Sequence, residues 1–255
     1  MTRQFPEHIR QVAEELILEA GPILYSVIRE AGVTCSVCGT PLSPGYTMCR
    51  TCEQHARSGI PLADRVGSLI YAFEPESQAY KIVRNYKSAH PGPSLSDIMR
   101  ALLALGLRAH YQCAAALSGV TSHGWAVVPS TGSRTALRDL VTGLAHRIES
   151  EVPLKYLGAS GERALRPGDW AVGYGATSPD HVFLIDDSWV SGAHAQSIAS
   201  MLKSSGVQQV SIFTVARIMR PDYGPSPEFI RQRLQGPSFD WKRCPWTGGD
   251  CPVLM

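Results

Sequence analysis

The stretch HVFLIDDSWVSGAHAQS, His181 to Ser197, restricts the folds open to this chain more than any other. Val182, Phe183, Leu184 and Ile185 are consecutive apolar residues, which suits a strand buried on both faces. Two carboxylates, Asp186 and Asp187, close the run. A turn of small residues follows, and Ala195, Ile198, Ala199 and Leu202 then recur at helical spacing until Gly206 stops them. QQVSIFTVAR, 208–217, reads as the next strand. Apolar strands separated by an amphipathic helix require a parallel sheet with helices on its faces.

The same alternation extends upstream. WAVV, 125–128, reads as a short buried strand. It leads into a helix with Leu137, Leu140, Val141, Leu144 and Ile148 on one face. DWAVGYGA and GSLIYAF are further strand candidates. Helices are expected from His8 to Ala20, through Ile23, Leu24, Val27 and Ile28 to Arg29, and along Ile98, Leu102 and Leu105. Residues 151–168 read as a long loop, and nothing periodic follows Pro221. The expected organisation is an N-terminal helix with a small module over 1–60, an α/β core over 61–220 and a tail over 221–255.

The module is defined by cysteines. Cys35, Cys38, Cys49 and Cys52 form CxxC-x10-CxxC within a stretch rich in Gly, Pro and Ser, too short to build a hydrophobic core. Two such knuckles can wrap one tetrahedral Zn²⁺ with four thiolates, and the metal then replaces the missing core. A redox pair is the competing reading. His55 is surplus to the four. Cys113 lies among alanines and reads as a buried apolar residue. Cys244 and Cys251 flank a Gly-Gly turn; they could bind metal, form a disulfide or remain reduced. Thiols in a CxxC array point to a reducing, cytoplasmic setting. No stretch approaches the ~18 apolar residues of a membrane span. A net charge of +2 gives no strong pull toward nucleic acid or anionic membrane.

In open parallel sheets, ligands bind beyond the carboxyl ends of the strands. Asp186 and Asp187 stand at such an end. The following turn, Val190 to His194, opens a helix whose N-terminus offers N–H groups and a positive dipole end to a phosphate. Gly192 allows close backbone approach, and Ser191 adds a hydroxyl. Carboxylates repel phosphate but accept hydrogen bonds from sugar hydroxyls. A phosphorylated ribose meets both demands. The competing reading is a solvated strand-end loop or a helix cap.

VFLIDDSWVSGAHA resembles the phosphoribosyl-diphosphate (PRPP) loop of type I phosphoribosyltransferases: apolar strand, two acids, two variable residues, then a hydroxyl- and glycine-containing turn. Val190 and His194 depart from it, standing where hydroxyl residues are usual. The resemblance implies that Asp186 and Asp187 are catalytic and that Ser188, Val190, Ser191, Gly192, Ala193 and His194 bind PRPP. It also implies a pyrophosphate loop at Ser130, Thr131, Gly132, Ser133 and Arg134. A loop closing over the reaction centre falls at 151–168, with Lys155, Tyr156, Arg163 and Arg166 as candidate contacts. Four cysteines, then KIVRNYKSAHPG (81–92), then such a core, resemble the ComF family, associated with competence for DNA uptake. The implied fold is type I phosphoribosyltransferase-like α/β with a zinc-ribbon-like module. The implied activity is transfer of ribosyl-5-phosphate from PRPP with Mg²⁺ to a nitrogen acceptor, releasing pyrophosphate. A glutaminase activity is not expected, since the chain begins Met1-Thr2 rather than with a nucleophilic cysteine. The alternative is a non-catalytic PRPP- or nucleotide-sensing or nucleic-acid-associated protein, with Arg50, His55 and Arg57 as a local basic patch. A ligand-free zinc-stabilised adapter is a third reading.

Overall fold

The computed structural model describes residues 5–88, 93–132, 134–145, 150–158, 162–173, 179–236 and 239–252. Ser133 and residues 146–149, including Ile148, lie outside these. A six-stranded sheet organises the chain. Its strands are β1 (Tyr25–Ser26), β2 (Arg65–Phe73), β3 (His123–Val127), β4 (Ser150–Glu151), β7 (His181–Trp189) and β8 (Gln209–Met219), in the order β1-β2-β8-β7-β3-β4. Every pairing is parallel except that of the edge strand β1 with β2. Two short strands, β5 (Leu154–Tyr156) and β6 (Trp170–Val172), form a separate antiparallel pair. The helices are α1 (Glu7–Ala20), α2 (Arg50–Ala56), α3 (Gln78–Asn85), α4 (Pro93–Ala104), α5 (His110–Ser118), α6 (Ala136–Ala145), α7 (Ala193–Ser204) and α8 (Ser226–Arg233).

β7 shows why an unbroken apolar run is needed. Side chains alternate across a strand. Phe183 and Ile185 enter the core that contains residues of α1, α4 and α5. Val182 and Leu184 enter the opposite core with Ile198, Ala199 and Leu202 of α7. All four strand residues are fully buried. A π-helical turn, Leu105–Ala109, joins α4 to α5. There Gly106 lies so close to β8 that a Cβ would come within 2.0 Å of the Phe213 ring.

Four sequence expectations change. The second N-terminal helix is replaced by a 3-10 turn at Gly21–Ile23 and then β1. Pro22 interrupts the helix, and Tyr25 and Ser26 find partners in Tyr71 and Ile70 instead. Residues 151–168 are not all loop, because β4 and β5 fall within or against them. DWAVGYGA supplies β6, which pairs with β5 rather than joining the parallel sheet; residues 174–178 lie outside the described set. Finally, the segment after Pro221 contains α8, and Trp241, Cys244 and Trp246 are buried in the same core as α1 and α4. Trp246 packs edge-on against Phe183 at 5.7 Å. None of the described helices is long and apolar enough to cross a membrane.

Candidate active site and thiol cluster

A cleft of about 560 Å³ opens at the carboxyl ends of β3 and β7. Parallel pairing sets Val127 beside Ile185, so the loop leaving β3 and the acids ending β7 reach the same place. Asp186, Asp187, Ser188, Val190, Ser191, Gly192, Ala193 and His194 all line it, as do Ser130, Thr131, Gly132 and Arg134 on the facing wall. Ser133 falls outside the described residues. Of the four candidates from 151–168, Arg163 lines the cleft. Arg166 pairs with Glu162 at 2.6 Å, and its backbone N–H donates to Ser197 Oγ at 2.8 Å.

The two acids differ in their surroundings. Asp187 is buried, and its Oδ2 accepts from Lys87 Nζ at 2.6 Å and from Tyr86 Oη at 2.9 Å. Its Oδ1 accepts from Ser188 Oγ at 2.7 Å. Asp186 Oδ1 accepts from the Asp187 N–H at 2.8 Å. Burial in the cleft, and next the charge of Asp187, push the Asp186 carboxyl up to about 7, against smaller opposing effects of the Asp187 N–H hydrogen bond, Lys87 and Arg163. Burial, together with the Asp187 carboxylate, drives the Tyr86 hydroxyl well above its ordinary value. Tyr86 and Lys87 belong to KIVRNYKSAHPG, and no local spacing assigns them a role. The tertiary fold carries them 101 and 100 positions along the chain to Asp187.

The turn after β7 is shaped by residues that look incidental in the sequence. The strand runs on through Ser188 and Trp189. Trp189 is buried beneath the turn, and a Cβ on Gly192 would lie 2.1 Å from its ring. Gly192 also has a φ of +79°, so both space and backbone require glycine. The Ala193 N–H donates to Ser191 Oγ at 3.3 Å. His194 Nε2 lies 2.8 Å from the Glu162 carbonyl, which can only accept, so that nitrogen carries the proton. His194 thus ties the turn to the 162–166 segment. Val190 presents a partly exposed apolar side chain. Arg217, near the end of β8, donates Nη1 to the carbonyls of Trp189 at 2.8 Å and Val190 at 3.0 Å.

Arg217 also donates Nε to Thr40 Oγ1 at 2.7 Å, and Thr40 Oγ1 lies 3.2 Å from Cys38 Sγ. The cleft turn and the cysteine module therefore share one guanidinium. The sulfurs of Cys35, Cys38, Cys49 and Cys52 all lie within 4.8 Å of one another. Cys38 and Cys49 stand 3.8 Å apart, close to the edge of a tetrahedron with Zn–S bonds of ~2.3 Å. Hydrogen bonds from Cys35, Cys49 and Cys52 hold Cys38 well below an ordinary thiol, whereas the same crowding pushes Cys52 far up. Four thiols this close do not all ionise without a cation between them. The group can hold a metal ion, with no ligand position left open. His55 is buried nearby on α2 and is not among the four.

No protein-family model matches the chain, and no curated protein matches it. Among solved structures, adenine phosphoribosyltransferase from Leishmania donovani is similar at a TM-score of 0.35 and 14% identity, over 69% of this chain and 81% of that one. A likeness that slight says nothing about ligand or reaction. The molecule's own geometry defines its class: a mixed α/β protein with a mostly parallel sheet, a polar cleft at the strand ends and a four-cysteine group beside it.

Proposed function

We propose that the cleft binds PRPP and that the protein is a phosphoribosyltransferase of ComF type, transferring ribosyl-5-phosphate to a nitrogen acceptor with loss of pyrophosphate. One observation carries the reading. The carboxylates of Asp186 and Asp187 share a cleft with the helix-opening turn 190–194 and with Ser130, Thr131, Gly132 and Arg134. Hydroxyl acceptors are thereby set beside phosphate donors. Asp186 and Asp187 would hold the ribose hydroxyls, and the turn N–H groups with Ser191 would take the 5′-phosphate. Ser130, Thr131, Gly132, Ser133 and Arg134 would take the pyrophosphate, with Arg163 over it.

Charge builds positively on the ribose as the glycosidic bond loosens, and a carboxylate pair opposes that charge. Lys87 pairs with Asp187 and fixes its position. The carboxylate oxygens suit a hard cation such as Mg²⁺, which when bound would neutralise pyrophosphate oxygens. The four cysteines would hold a structural Zn²⁺ that seats Thr40 and, through Arg217, the phosphate turn.

Titration calorimetry with PRPP and Mg²⁺ tests the reading. Heat with the wild type that vanishes in an Asp186→Asn/Asp187→Asn double variant supports it, and no heat with zinc-loaded wild type sinks it. A second reading, ligand sensing without turnover, is favoured by Val190 and by the engaged His194, which leave Ser191 as the turn's hydroxyl. Under it PRPP binds, yet no nitrogen acceptor elicits pyrophosphate release.

A further inference from the structure

We propose that His110, Cys113, Cys244 and Cys251 form a second zinc site, which fastens the C-terminal segment to α5 beneath the sheet. Their ligand atoms, one imidazole nitrogen and three sulfurs, all lie within 4.8 Å of one another. Cys113 and Cys251 sulfurs stand 3.9 and 3.6 Å from His110 Nδ1. A tetrahedral Zn²⁺ with Zn–S of ~2.3 Å and Zn–N of ~2.0 Å needs ligand separations of roughly 3.5–3.8 Å. Small rotations of the thiols close the difference.

The hydrogen bond of the histidine suits the tautomer a metal requires. Its Nε2 lies 2.9 Å from the Trp241 carbonyl oxygen. A carbonyl only accepts, so Nε2 carries the hydrogen, and Nδ1, which faces the sulfurs, is the nitrogen left to coordinate a metal. Metal-binding histidines commonly donate their second ring N–H in this way. Here the acceptor belongs to the very segment that supplies two of the other ligands.

Both halves of the group are held in place by bonds of their own. His110 and Cys113 are three apart on α5 and share one face. They follow directly on the π-helical turn Leu105–Ala109. The loop 244–251 is closed by Gly248 N–H to Cys244 O and Cys244 N–H to Gly249 O, both 2.8 Å, which bends Cys251 back toward Cys244. Trp246 Nε1 donates to the His110 carbonyl at 3.2 Å, locking loop to helix. His110, Cys113 and Cys244 are fully buried, and Cys251 is partly exposed, a side from which an ion can enter. A disulfide between two of the sulfurs would engage only two of the four groups. A zinc centre of three sulfurs and one nitrogen uses all four.

The measurement is zinc content of the full chain purified under reducing conditions without chelator, together with zinc X-ray absorption. The expected result is two zinc ions per chain, with an average shell between four sulfurs and three sulfurs plus one nitrogen. Cys244→Ser and, separately, Cys49→Ser are each expected to lower the count to one. Where Cys244→Ser does not fold, wild-type stoichiometry and ligand shell still decide. One zinc in the wild type that Cys49→Ser removes, an all-sulfur shell, iron in place of zinc, a count of two retained in Cys244→Ser, or a disulfide joining Cys244 or Cys251 in the freshly purified protein would each overturn the proposal.

Discussion

In the cleft, Asp186 to His194 form one unbroken segment, and β7 and α7 deliver it there together. At the second thiol group, His110 and Cys251 are 141 positions apart, and the core of the molecule must form before they meet. The cleft keeps its polar groups partly wet and pairs them with each other: Lys87 with Asp187, Ser191 with the helix start. The thiol groups are drier, with Cys35, Cys38, Cys52, Cys113 and Cys244 all buried. Contiguity favours a site that a short stretch of sequence reveals. Long separation favours a site that acts as a clasp, since closing a long loop stabilises the fold against a denatured chain with more freedom to lose.

Arg29 connects the two thiol groups. Its guanidinium donates to the carbonyls of Ser36 at 3.1 Å and Val37 at 3.0 Å, between the first two module cysteines, and also to Val66. Its Nε reaches the Pro245 carbonyl at 2.9 Å, next to Cys244.

The sharpest way to break the contrast is to strip metal. Structural zinc contributes an apparent ~10–16 kcal/mol in small domains, comparable to the whole ~5–15 kcal/mol stability of a domain. A chelator strong enough to empty the sites is expected to abolish the cooperative thermal transition seen by circular dichroism, whereas PRPP withdrawal shifts it by only a few degrees. Next is Arg29→Gln, which leaves the carbonyls of the buried Val66 and Pro245 without their charged donor. About 2–4 kcal/mol of lost stability in urea unfolding is expected, with faster zinc release to a chromophoric chelator. An unchanged release rate would separate the cysteine clusters from one another.

Gly192→Ala forces a Cβ toward Trp189 and a side chain into left-handed backbone. A loss of about 1–3 kcal/mol is expected, with zinc content unchanged and PRPP heat absent. Asp187→Asn takes the charged partner from Lys87. Because the Lys87 side chain is 26% exposed, the expected stability loss is about 1–2 kcal/mol, below the ~3–5 of a fully buried pair. Asp186 should then titrate below 7 in carboxyl NMR.

The remaining effect is on pH. Asp186 is raised from 3.8 to about 7 in the folded chain. Between these values the folded state holds a proton that the unfolded state has lost. Its contribution therefore weakens stability as pH climbs from about 4 to about 7 and is level above that. Asp186→Asn should remove this part of the slope in unfolding measured from pH 5 to pH 8. Since Mg²⁺ and sugar hydroxyls both prefer the carboxylate, PRPP heat in the wild type should strengthen over the same interval.

Much was legible because it was local. The run Val182–Ile185 specified a strand buried on both faces, and its burial is complete. Spacing alone singled out Cys35, Cys38, Cys49 and Cys52, since a thiol-rich segment without core residues has few ways to hold together. Small residues after an acid pair announced a turn into a helix. What escaped the reading depends on distant partners. Leu24 and Val27 have helical spacing, yet they flank an edge strand because β2 offers hydrogen bonds and Ser26 exchanges bonds with the backbone of Asp240. Trp189 read as a variable position and proves to be the floor of the turn.

From the sequence alone, then, follow the parallel α/β plan, the four-cysteine module and the acid-pair turn, each written in neighbouring residues through periodicity, ligand spacing and turn chemistry. Only the tertiary structure decided that Tyr86 and Lys87 serve Asp187, that Arg217 joins the turn to the cysteine module, and that Cys113, taken alone for a core residue, faces His110 and the C-terminal segment. The physical reason is that hydrogen bonds, ion pairs and coordination act over a few ångströms of space, and only the packed sheet turns separations of a hundred residues into such distances.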